Sequence, residues 1–141
     1  MNESEIMELY NLNASDMKVL SSMIIEEIPT MVDRVDMGGM VLIQLDKLVG
    51  FDRIYNVHNW WEAIMSLHKI NTLKWISKKE KLAEYMQNIE QLNMDGLPCV
   101  SEYKGKYYIS DDGCHRLTVA KCVGIKKAYV YVKCLCSDQM V

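Results

Sequence analysis

The chain has 141 residues, enough to bury one hydrophobic core. Half of it is hydrophobic and a quarter charged, the balance of a globular protein and not of a disordered or fibrous one. A net charge of −3 excludes the whole-chain basic footprint of a nucleic-acid binder, and no apolar run reaches the roughly 18 residues that suggest a membrane-spanning helix.

The charge is unevenly placed. Residues 1–40 hold Glu3, Glu5, Glu8, Asp16, Glu26, Glu27, Asp33 and Asp36 against Lys18 and Arg34, whereas the lysines gather late. No N-terminal stretch joins a basic start, an apolar run and a small-residue cleavage site. The expectation is therefore an unexported, cytoplasmic chain whose five cysteines are reduced. Cys134-x-Cys136 is too short for a zinc knuckle and lacks a second pair, so no metal site of that kind is expected.

In chain order, residues 1–40 read as an acidic helical extension. Ser4 to Leu12 suits a short helix, and Ser15 with Asp16 suits the start of a second. Met17, Leu20, Met23 or Ile24, and Ile28 follow at helical spacing, with Pro29 expected to end the helix. Asp36-Met37-Gly38-Gly39 reads as a linker or turn. Val41 to Asp46 is a branched apolar strand, which opens a second unit over residues 41–141. Asn59 to Ile70 has helical spacing through Trp60, Ile64, Leu67 and His68. Ser77 and Glu80 form a capping-box pattern for a helix over Lys78–Leu92. Its apolar stripe is Leu82, Met86 (or Tyr85), Ile89 and Leu92. Leu97–Tyr103 and Tyr107–Ser110 read as a hairpin around Lys104-Gly105-Lys106. Cys114–Val123 reads as a helix stopped by Gly124, and Ala128–Leu135 alternates as a strand. This order gives an α/β (α+β) layout, a small mixed sheet packed with helices.

One turn carries the chemistry. Around Asp112-Gly113-Cys114-His115-Arg116 a strand ends, a glycine bends the backbone and a helix begins. The first helical N–H groups lack internal partners, and the helix dipole adds partial positive charge. Gly113 lets a bulky anion approach the backbone, Arg116 offers a planar fork for phosphate or carboxylate, and His115 is a second donor. The residues thus suit a phosphate. The same surroundings favour thiolate character at Cys114. A purely structural use is the alternative: Asp112 as helix cap, Arg116 paired with Asp111 or Asp112, Cys114 as a small buried filler.

Leu97-Pro98-Cys99-Val100, Lys104 to Ile109, Asp112 to Leu117, Ala120, Gly124 and Val130-Tyr131-Val132 together resemble the ParB/sulfiredoxin superfamily. Its pattern is a strand pair, an Asp-Gly-x-His-Arg turn, a helix ending at Gly and a final strand. Val41 to Leu48 is similar to its opening strand, and Lys78–Leu92 to the helix before its x-Pro-x-Val strand. The resemblance spans roughly residues 41–135. It implies a nucleotide held in the turn, ATP or CTP with Mg²⁺, by Gly113, His115 and Arg116. It also implies a nucleotide-contacting lysine on the preceding helix, for which Lys78, Lys79 and Lys81 are the candidates. Gly113-Cys114-His115-Arg116 matches the sulfiredoxin motif letter for letter, which would make Cys114 a catalytic nucleophile beside His115. Asp111-Asp112 departs from sulfiredoxin, where aromatic-Gly stands, and is closer to the partition-protein and kinase version. There Asp112 would orient Arg116 or hold Mg²⁺.

The implied function is nucleotide binding with phosphoryl transfer or hydrolysis. The alternatives are a non-enzymatic regulator that docks a protein or nucleic-acid complex through its acidic N-terminal helices, and thiol repair through Cys114. His58-Asn59-Trp60-Trp61 reads as one core and one half-buried tryptophan. The late tyrosines read as cover for a sheet face, with base stacking as the alternative.

Overall fold

A computed structural model describes residues 2–52, 56–67, 78–110 and 114–139. Two capping boxes start the chain. Asn2 caps α1 (Glu3–Leu9) and Asn13 caps α2 (Ala14–Ser22). The Asn13 side chain accepts from the Asp16 amide at 2.8 Å, and the Asp16 carboxylate returns to the Asn13 amide at 2.9 Å. This reciprocal pair, not Ser15, fixes the start of α2. The helix ends at Ser22, well before Pro29, because Ile25 turns its amide to the His58 carbonyl.

From Glu26 onward the helical reading of residues 1–40 is corrected. Glu26–Glu27 forms β1 and Val32–Asp36 forms β2, both in the sheet that holds β3 (Met40–Gln44). A 3₁₀ turn, Leu45–Lys47, leads to β4 (Leu48–Phe51). Asn59 caps α3 (Trp60–Met65). The single helix expected over Lys78–Leu92 is two, α4 (Lys79–Tyr85) and α5 (Ile89–Asp95). Asn88 divides them by accepting from the Gln91 amide as a new N-cap. Ser77, the expected cap of α4, lies outside the described residues, as does His68. Lys78 takes the cap position without a side-chain bond. β5 (Cys99–Tyr103), β6 (Lys106–Ile109), α6 (Cys114–Cys122) and β7 (Lys127–Asp138) complete the order. The β5–β6 hairpin turns on Lys104 (φ 51°) and Gly105 (φ 76°), the doubly positive geometry that suits a two-residue loop.

The chain is thus α+β, with a mixed seven-stranded sheet in the order β1-β4-β6-β5-β7-β2 and β3 also on β7. β7 runs parallel to β5 on one side. On its other side it is antiparallel to β3 over Lys127–Tyr131 and to β2 over Cys134–Asp138. Between those stretches Met37 and Gly38 both donate to β7, to the Lys133 and Val132 carbonyls at 3.0 Å. The residues expected as a linker are therefore a β-bulge within one paired run, and Gly38 supplies its positive φ of 66°.

Trp60 and Trp61 are both buried, with Ile6, Leu20, Leu117 and Val130 in the same core. The acidic helices α1 and α2 are thereby fastened to the rest through Ile6, Tyr10 and Leu20. A smaller cluster of Tyr103, Tyr108 and Cys136 lies on the opposite sheet face. There Arg34 of β2 binds Asp52, just past β4, through two bonds of 2.6 and 2.7 Å. Three strands separate β2 from β4, about 19 Å across a flat sheet at 4.8 Å per strand. The sheet must curl to close that pair, and register shifts at Val100/Ser101 and Leu48/Gly50 are places where it can bend. All five cysteines are free thiols, and no described helix is long and apolar enough to cross a membrane.

Tyr10 gives a first test. Its side chain is buried, and its hydroxyl has no hydrogen-bond partner among the described residues. Burial, with Cys122 adding to it, pushes its pKa up from 10.0 to about 12. An acid whose folded pKa is raised contributes stability below the unfolded value, lost as pH rises through the folded one. Denaturant midpoints should therefore fall as pH climbs from 10 to about 12. Tyr10→Phe should fall less over that window; an identical decline would locate the alkaline sensitivity elsewhere.

Candidate functional site

β4 and β6 run parallel and adjacent, so their carboxyl ends open at the same edge. The Asp52 amide donates to the Ile109 carbonyl at 2.8 Å and holds those ends together. Crevices beyond the carboxyl ends of parallel strands are where α/β sheets commonly take ligands. Here β6 passes through Ser110 toward α6, which begins at Cys114. Asp111, Asp112 and Gly113, the expected cap and anion cradle, lie outside the described residues. Ser110 is buried, its amide bonded to the Cys99 carbonyl. Its hydroxyl has no hydrogen-bond partner among the described residues, which leaves a buried polar group unsatisfied just past the end of β6.

Cys114 is buried, and its sulfur lies 4.0 Å from the Thr118 hydroxyl one turn along. That placement gives a bulky substrate little access to the thiol. His115 and Arg116 are half-buried on the same first turn. Arg116 Nη1 donates to the Tyr85 hydroxyl at 2.8 Å, and its guanidinium carbon lies 6.0 Å from that ring centre. Tyr85 in turn donates to Asp95 Oδ2 at 2.9 Å, and Gln91 Nε2 donates to both Asp95 oxygens. The relay shows in the acidities. Burial, then the bond to Asp95, raises the Tyr85 pKa, while Arg116 opposes the rise. The Gln91 and Tyr85 bonds, with Arg116 beyond, hold Asp95 below the usual carboxylate range.

This relay steers Arg116 without neutralising it directly. Its hydrogen-bond partner is a neutral hydroxyl, and its other N–H groups have none among the described residues. A guanidinium so placed retains donors for a planar anion.

The candidate lysines are placed differently. Arg116 meets Tyr85 at the end of α4, while the Lys79 ammonium reaches Gly124 past the end of α6. The two helices are therefore antiparallel, and Lys78 and Lys79 lie at the far end of α6 from Arg116. Lys81 is exposed on α4, with no described contact to Cys114, His115 or Arg116. The structure thus brings together Cys114, His115 and Arg116, but joins none of these lysines to them. Among the described residues no three His, Cys, Asp or Glu side chains gather as a metal site.

Tyr85, Gln91, Asp95 and Ser110 were missed as members of the site. The one available signal was Tyr85, a hydroxyl set within an apolar helical stripe. Comparison with family models, curated proteins and solved structures found no match.

Proposed function

We propose that the chain is a nucleotide-binding protein of the ParB/sulfiredoxin kind, taking the phosphates of ATP or CTP at the start of α6. Arg116 carries this reading: a half-buried guanidinium on the first turn of a helix, aimed by Tyr85 and with no carboxylate in direct contact among the described residues. Helix N-terminal amides would share the phosphate charge. His115 stands beside Arg116 as a further donor. Mg²⁺ would arrive with the nucleotide and neutralise phosphate charge, so phosphoryl transfer or hydrolysis is the activity to assay. Thiol repair fits less well, because Cys114 is buried.

Calorimetric titration of ATP, CTP, GTP and ADP with Mg²⁺ tests the site. One nucleotide should bind in the micromolar range, and Arg116→Ala should weaken it by about 10- to 100-fold, the worth of a charge-assisted contact. If no nucleotide binds, or the variant binds as wild type does, the reading fails.

The second reading is a regulator that docks through its acidic helices, supported by the exposure of Glu3, Glu5 and Glu8. Charge reversal on that face is its proper probe, because truncation would strip Ile6, Tyr10 and Leu20 from the core.

A further inference from the structure

At the opposite end of α6 from Arg116, about 12 Å away at 1.5 Å per residue, lies a cavity of about 880 Å³. A second, of about 540 Å³, adjoins it. The two share Met23, Lys121 and Gly124, so they form one trough around the helix end.

One wall is apolar, built by Leu12, Val19, Leu20 and Met23 from the α1–α2 region. The other carries cations: Lys78, Lys79 and Lys121 in the larger lobe, Lys126 and Lys127 in the smaller. None of these five lysines forms a salt bridge among the described residues. Lys121 is fixed between the lobes. Its ammonium donates to the Leu45 carbonyl at 2.8 Å and lies 5.5 Å from the centre of the Trp60 ring. Among the described residues three carboxylates also line the trough, Asp16, Glu80 and Asp46. Asp16 is already engaged in capping α2. The balance still favours a guest of negative charge.

Tyr10 supplies an independent sign. It lines the larger lobe, is buried, and its hydroxyl lacks a hydrogen-bond partner among the described residues. A buried hydroxyl in that state costs stability until something accepts from it. An anionic oxygen that displaced the atoms now covering this hydroxyl would do so, while the apolar part of the same guest lay along Val19, Leu20 and Met23.

We propose that this trough binds a small amphipathic anion, an apolar body bearing one carboxylate or phosphate, with its head between Lys79 and Lys121. Apolar sites with a few convergent polar groups take ligands of this size and kind, and the lysines select the charged head from its neutral analogue. The inference does not depend on nucleotide binding at Arg116.

Octanoate below its micellar concentration is the probe, titrated calorimetrically into the full chain, with octanol and acetate as its apolar and anionic halves. Octanoate should bind saturably and neither half should match it. Lys79→Glu, an exposed change, should weaken octanoate by about tenfold or more, and Tyr10→Phe should weaken it while leaving the circular dichroism unchanged. Lys121→Met should act like Lys79→Glu; if it fails to fold, Lys79→Glu decides. Arg116→Ala should bind octanoate as wild type does, whatever it does to nucleotides. No binding at millimolar octanoate, equal binding of octanol, or an unaffected Lys79→Glu would overturn the proposal. So would sedimentation with vesicles of anionic phospholipid without octanoate binding, which would assign the lysines to a membrane surface.

Discussion

Gly50→Ala should be among the most damaging single substitutions in this protein, although it adds one methyl group. Gly50 of β4 pairs with Glu26 of β1. A Cβ built on it falls directly on the Glu26 carbonyl oxygen, with the carbonyl carbon at 2.8 Å. Backbone cannot rotate aside as a side-chain tip can. One of the two strands must move, and the Lys106–Glu26 salt bridge that anchors β1 at 3.1 Å would be strained with it. Overpacking of this kind costs about 3 kcal/mol, and more where relaxation is blocked. Each kcal/mol corresponds to roughly 3–4 °C in melting temperature for a chain of this length. Gly39→Ala is the control. Nothing lies within 4 Å of its added methyl, so it should stay within about 0.5 kcal/mol of wild type. Thermal melts of the pair decide the matter: equal midpoints would mean that β1 does not press on β4 in solution.

Arg34→Met should produce the second large loss. Asp52 has 9% of its side chain exposed, and it accepts both the Arg34 fork and the Ser101 hydroxyl. The same pairing raises the Arg34 pKa further still, with the Asp52 bond as the leading cause. Methionine retains the stem but leaves a largely buried carboxylate with Ser101 as its remaining side-chain partner among the described residues. Breaking a fully buried pair costs about 3–5 kcal/mol. Arg34 is 43% exposed, so solvent screens part of its share, and about 2–3 kcal/mol is the better expectation. Arg34→Met with Asp52→Asn should recover part of that loss, since no orphaned charge remains. A single variant that melts with wild type would show that the pair contributes nothing to holding the curl of the sheet.

The parts of the fold legible in the sequence were those governed by neighbours in the chain. Lys104-Gly105 specifies its hairpin, Gly124 stops α6, and β7 alternates through Ala128, Val130 and Val132, all buried. The parts that depend on distant partners were not legible. β1 is two residues long, and β2 is the charged run Val32-Asp33-Arg34-Val35-Asp36 with little burial. Neither has a local reason to be extended; each is a strand because β4 or β7 lies beside it. The site divides in the same way. Arg116 stood out in the sequence as a cation early in a helix, but its orientation comes from Tyr85 and Asp95, which reach it only when α4 and α6 pack antiparallel. Asn88 likewise outweighed a continuous apolar stripe, because one side-chain cap suffices to restart a helix.

The length of β7 also dictates the order in which this protein can form during synthesis. Residues 127–138 contribute neighbours to β2, β3 and β5, strands made from well separated stretches of chain. Until that segment has left the ribosome, β5 lacks one neighbour, and β2 and the uncharged strand Met40–Gln44 lack their one strand partner among the described residues. The nascent chain therefore carries an unpaired, sticky edge from the making of Met40–Gln44 until residues 127–138 follow. Closure then waits on long-range pairing, which is slow. A cell making this protein quickly would need to shield that edge until β7 arrives.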